Sequence, residues 1–156
     1  MLIRTDIPFR QKLLISLTIT VGLGLLFVNQ FRLIDRDILK YIIWMYPVIV
    51  SSWILWGEEL IDLNNKKIFS IWLIIGIFYF IFYLLFHLHS FKTLLIFLLA
   101  YWLLNFIKKK FIGTCLLNTS FQMSWKHVET KKQITWLDVF FNIILYVVIL
   151  VSWLTK

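Results

Sequence analysis

The sequence predicts an all-α integral membrane protein: about five transmembrane helices in one small bundle, with an amphipathic interfacial segment between helices 4 and 5. Three observations predict it. Of the 156 residues, 61% are hydrophobic and 15% charged, at a mean hydropathy of +0.86; soluble domains have roughly 45–50% apolar and about 25% charged residues. The apolar residues come in unbroken runs rather than on one face of a 3.6-residue period. The charges gather in short knots between those runs, as a polytopic helical chain requires. Residues 1–156 therefore read as a single transmembrane domain.

The first span covers about 13–29. It follows Arg4, Arg10 and Lys12 and is not followed by an A-x-A-like cleavage site, so it is expected to be retained rather than removed as a signal peptide. The second, 38–56, contains Pro47. A proline inside a helix frees a backbone carbonyl and kinks the axis, and Ser51 and Ser52 stand close enough to repair the hydrogen bonding locally. The third and fourth, 69–88 and 91–107, are separated only by HLHSFK. One helix of about 39 residues would be roughly 58 Å long, nearly twice the ~30 Å hydrocarbon layer, so a tight hairpin is expected. The fifth span is 137–154.

Lys and Arg set the orientation. With the N-terminus cytoplasmic, Arg4, Arg10, Lys12, Lys66, Lys67, Lys108, Lys109, Lys110, Lys126, Lys131 and Lys132 lie inside. Only Arg32, Arg36, Lys40, Lys92 and Lys156 lie outside. The positive-inside rule thus places the N-terminus in the cytoplasm and the C-terminus outside a multi-pass inner or plasma membrane. Trp53, Trp56, Trp72 and Trp136 then fall near the inner boundary and Trp153 near the outer one, where tryptophan anchors belong.

The cytoplasmic loop 108–136 is far longer than a helix connection needs. Cys115, Leu117, Phe121 and Trp125 alternate with polar residues as in a strand, whereas Leu117, Phe121, Trp125 and Val128 would line one face of a helix. Either form has one apolar and one wet face and is expected to lie in the interface, held by aromatic side chains and by lysines near anionic headgroups.

Two constellations stand out inside the spans. Ser16, Thr20 and Gly24 recur every four residues, a small-xxx-small face where another backbone can approach, within this bundle or in a partner. Asp138, Asn142 and Tyr146 fall at i, i+4 and i+8 of the last span. A carboxylate in the first turn suits the helix dipole and can remain ionised beside headgroup water and Lys131 or Lys132. Asn142 is expected to turn inward, with Asn105 of the fourth span as its partner. These residues read as helix glue, or alternatively as a polar path through Asp138 and Asn142. The Cys115–Val128 segment would offer a second contact surface.

The motifs exclude more than they assign. The excess of eight positive charges sits beside apolar runs, which points to anionic lipid and not to nucleic acid. Cys115 is the sole cysteine, so an internal disulfide is ruled out. His87 and His89, at i and i+2, do not share a helical face. Glu58 and Glu59, taken with YLLFHLH and DVFFN, resemble in part the EExxxR, FxxxH and HxxxN motifs of the CAAX-protease and bacteriocin-processing membrane family. The chain departs from that pattern: no Arg follows the glutamates, Tyr83 stands at the Phe position and Asp138 at the last His. No catalytic residue, metal site or cofactor is expected, and the chain is read as a non-enzyme. The expected role is protein–protein interaction within the membrane, as a toxin or bacteriocin self-immunity factor or an export-system accessory. Alternatives are an oligomeric transport component for a small solute or ion, and a small subunit of a larger respiratory-type complex. The partner would be another membrane protein or further copies of the chain.

Overall fold

In the computed structural model, residues 7–31, 36–57, 59–116 and 134–155 are described. Among them the chain is helical and contains no strand. The elements are α1 (Phe9–Phe31), α2 (Arg36–Trp56), the single turn α3 (Glu59–Asp62), α4 (Lys66–Phe86), a 3-10 turn (His89–Phe91), α5 (Lys92–Ile112) and α6 (Trp136–Leu154). Four helical stretches are long and apolar enough to cross a membrane: Phe9–Val28, Lys66–Phe86, His89–Ile112 and Trp136–Leu154. The apolar part of α2, Tyr41–Trp56, is shorter than these.

Local chemistry sets the helix ends. Asn65 caps α4 by accepting from the Lys67 N–H at 3.0 Å. His87 ends α4 in the left-handed conformation at φ 55°, an uncommon one for a residue with a Cβ, and the 3-10 turn then reverses the chain into α5. The expected hairpin is present. At the far end of α5, Gly113 adopts φ 78° and its N–H bonds the Lys109 carbonyl at 3.0 Å, a left-handed cap that glycine adopts without penalty. This cap lies beyond the expected end of the span at 107, so the Lys108–Lys110 knot is helical rather than part of a loop.

The core gathers around α5, which packs against α4, α6 and α2. Its buried residues Leu94, Phe97, Leu98, Tyr101, Leu104, Asn105 and Lys108 recur at three- and four-residue spacing, forming a single stripe. Gly76 lets α4 approach closely; a Cβ there would stand 3.2 Å from a Leu98 methyl and 3.4 Å from the Leu95 Cα. α6 turns Asp138, Phe141, Leu145, Ile149 and Ser152 inward. Outside this core the surface is apolar, with Ile74, Leu85 and Phe140 exposed. That is the inverse of a soluble fold and suits a lipid solvent.

Pro47 removes the donor that would satisfy the Ile43 carbonyl. Local repair by serine was expected, yet the Ser90 hydroxyl, from the 3-10 turn, donates to that carbonyl at 3.2 Å. Ser51 serves the next turn instead, donating to the Pro47 carbonyl at 2.8 Å. Ser90→Ala is therefore expected to lower stability by about 1–2 kcal/mol, the cost of an orphaned buried acceptor. The loss should shrink in a Pro47→Ala background, where the backbone N–H returns to Ile43; thermal unfolding of the four proteins in one detergent measures the coupling.

Candidate functional site

The polar residues of the spans converge at the end of the bundle where α1, α4 and α6 begin and α2 and α5 finish. Lys12, Lys66, Lys67, Lys109 and Lys110 are exposed there, so it is called the basic end. At its centre lies an ion pair between Lys108 of α5 and Asp138 of α6, with both side chains fully buried. The Lys108 ammonium also donates to the Cys115 carbonyl at 2.9 Å. The second carboxylate oxygen of Asp138 accepts from the Thr135 N–H at 2.9 Å and from the Thr135 hydroxyl at 2.8 Å, reaching back over the start of α6 in the manner of a capping box.

One turn deeper on α5, Asn105 accepts from the Leu116 N–H at 2.8 Å and donates to the Asn64 side chain at 2.9 Å. Asn64 follows α3, whose Asp62 accepts from the Gln11 amide at 3.3 Å. Gln11 is buried and in turn accepts from the Trp72 indole at 3.0 Å. A belt of side-chain hydrogen bonds thus touches α1, α3, α4, α5 and α6 at the basic end.

A second polar clasp holds α1 further along. The Tyr46 and Tyr79 hydroxyls, from α2 and α4, each donate to the Thr18 carbonyl at 2.7 Å. Gly22 makes room for them, because a Cβ there would lie 2.1 Å from the Tyr79 hydroxyl. At the opposite end of the bundle, Lys92 donates to the Thr155 carbonyl at 2.8 Å, placing a cation at the C-terminus of α6 where the helix dipole favours one.

Several expectations are corrected by this geometry. Asp138 does not face headgroup water; it is buried in an ion pair with Lys108, and Lys131 and Lys132 lie outside the described residues. Asn105 and Asn142 do not pair: Asn105 is bonded to Asn64 and Leu116, and the Asn142 amide donates to the Asp138 carbonyl of its own helix at 2.6 Å. Tyr146 is exposed and stacks on Trp56 at 6.0 Å. Positions i, i+4 and i+8 drift about 40° per step around a helix, so Asp138, Asn142 and Tyr146 wind from the core to the surface and form no continuous interior path. Ser16, Thr20 and Gly24 all face outward; the side of α1 that packs carries Gln11, Thr18 and Gly22.

Trp72 is at 0% exposure and bonded to Gln11, hence no interfacial anchor, whereas Trp53, Trp56 and Trp136 are exposed. Trp153 is half-buried against Trp44, ring centroids 4.3 Å apart. Cys115 is half-buried beside the ion pair. Leu117, Phe121, Trp125 and Val128 lie outside the described residues. So does Glu58, while Glu59 lies in α3, ahead of α4, and His87 caps the far end of that 21-residue helix, which is about 30 Å long by helical rise. His89 faces the Tyr83 ring, and no group of three or more metal-ligating side chains occurs among the described residues.

Sequence reasoning missed Lys108, Asn64, Gln11 and the two tyrosines. A signal for Lys108 exists in retrospect: it continues the Tyr101, Leu104, Asn105 spacing of the buried α5 stripe. Lys108 is neutralised and donates twice, and both Asp138 oxygens are occupied by donors. No protein family matches the chain, and no curated protein or solved structure matches it either.

Proposed function

We propose that the chain crosses the cell's inner or plasma membrane five times, N-terminus cytoplasmic and C-terminus outside, and acts through protein–protein contact within the bilayer. A fifth crossing is supported by the direction of α1 and α4. Gln11 meets Trp72, and seven residues on in each helix the Thr18 carbonyl meets Tyr79, so the two helices run parallel. The shorter α2 must then return across the same depth. Gln11 lies at the basic end and Thr155 beside Lys92 at the other, so the start of α1 and the end of α6 lie at opposite ends of the bundle. The lysines of the basic end support its cytoplasmic placement against anionic headgroups.

The observation that carries the functional reading is the outward face of α1. Ser16, Thr20 and Gly24 are exposed, and a Cβ built on Gly24 meets nothing within 4 Å. Small residues on a lipid-facing strip permit close approach by another helix, while the inward Gln11, Asn105, Lys108 and Asp138 are engaged in hydrogen bonds that hold the bundle together. A self-immunity factor or an export-system accessory fits such a chain.

Gentle detergent extraction of the tagged protein, with its oligomeric mass and bound proteins recorded together, tests the reading. A stoichiometric foreign membrane protein that is lost on Gly24→Leu supports it. A pure homo-oligomer directs attention to transport, and Asn142→Leu then discriminates. Weaker assembly marks helix glue; lost flux in an oligomer that still assembles marks a path.

A further inference from the structure

The Lys108–Asp138 pair does more than join two helices. Lys108 binds the Cys115 carbonyl, and one residue later the Leu116 N–H is held by Asn105. Asp138 binds Thr135 through both the backbone N–H and the hydroxyl. The chain leaving α5 and the chain entering α6 are therefore fastened to the two halves of one buried ion pair. Asp138 is the third residue of α6 and Lys108 the fifth from the end of α5. Both stand within about 6 Å of the helix ends by helical rise, at a depth where a small displacement admits water. What keeps the pair dry is protein: the 113–116 segment folds back over it, with the Leu116 side chain fully buried.

From this geometry we infer that Lys108 and Asp138 form a releasable clasp, coupling the 113–116 turn and the N-terminal turn of α6 so that they open and close as one unit. The desolvation cost of a buried ion pair offsets much of its attraction, so the closed state is held with a small net margin. Removing one charge leaves the other buried and uncompensated, which drives opening. Opening exposes the Cys115 thiol, the Lys108 ammonium and the Asp138 carboxylate together at the basic end. The inference rests on the geometry of α5 and α6 and stands apart from the partner-binding reading.

Cys115, the sole cysteine, reports the state of the clasp. The test measures its labelling rate by N-ethylmaleimide in the full chain in detergent, for wild type, Asp138→Asn and Thr135→Val. Neither Asp138 nor Thr135 is the side chain that holds the Cys115 carbonyl; that side chain is Lys108. Asp138→Asn is expected to accelerate labelling at least about tenfold, and Thr135→Val in the same direction by less. An unchanged rate in Asp138→Asn overturns the coupling, since Cys115 is then held independently of α6. If Asp138→Asn does not give monodisperse helical protein, Thr135→Val decides alone: acceleration supports the clasp, and a wild-type rate sinks it.

Discussion

Lys108→Met is expected to destabilise the bundle by about 3–5 kcal/mol, because it strands the Asp138 carboxylate in a site closed to solvent. The ammonium is fully buried together with its partner, so the stranded carboxylate either stays dry or reaches water only by opening its cover. Lys108 also holds the Cys115 carbonyl, which loses its donor in the same step. The double variant Lys108→Met/Asp138→Leu should recover most of the loss, since apolar side chains of similar volume dispense with the desolvation of both ions. Asp138 also binds Thr135, and the Cys115 carbonyl still lacks its donor, so recovery should stop short of wild type by about 2 kcal/mol. Chemical or thermal unfolding in a fixed detergent measures the cycle. Additive losses in the double variant would show that the two charges do not act on each other.

The second large effect concerns α1 and contrasts two glycines of one helix. Gly22→Ala places a methyl group 2.1 Å from the Tyr79 hydroxyl, closer than any real contact allows. Tyr79 is buried and held on the Thr18 carbonyl, so either the ring leaves that bond or α1 lifts away. A loss of about 1–3 kcal/mol is expected from overpacking. Tyr79→Leu in the same background should return part of it by vacating the space. Gly24→Ala meets nothing and is expected to be neutral or to stabilise the helix by up to about 1 kcal/mol. Equal effects at the two positions would show that α1 does not dock through Gly22.

The physical reason for this sensitivity is that α1 has little apolar leverage. In lipid the hydrophobic effect does not press helices together, and association depends on close packing and interhelical hydrogen bonds. α1 relies on Gln11 with Trp72 and Asp62, and on the Thr18 carbonyl with Tyr46 and Tyr79. Ser16, Thr20 and Gly24, chosen for their spacing, lie on the other side. Spacing identifies a face of a helix but not its direction, because a small residue serves equally well against lipid, another subunit or the bundle. Trp72 makes the same point: tryptophan belongs at interfaces by composition, yet a buried amide gave this one a partner for its N–H.

Composition and run length were enough to read an all-α chain, the helices α1, α4, α5 and α6 as long and apolar enough to cross a membrane, and the hairpin at residues 87–91, because hydrocarbon forbids unpaired backbone and admits few alternatives. Asp138 was also legible as a residue set apart, since a carboxylate opening an apolar run has few uses. Its partner was not. Lys108 reads in one dimension as the first of three loop lysines; it becomes a core residue only because α5 continues to the Gly113 cap and turns that position toward α6. The Ser90 repair of the proline site and the pairing of Asn105 with Asn64 are of the same kind. These pairs lie 30 to 47 positions apart in the chain, and such pairings follow from how helices settle against one another, which no local pattern encodes.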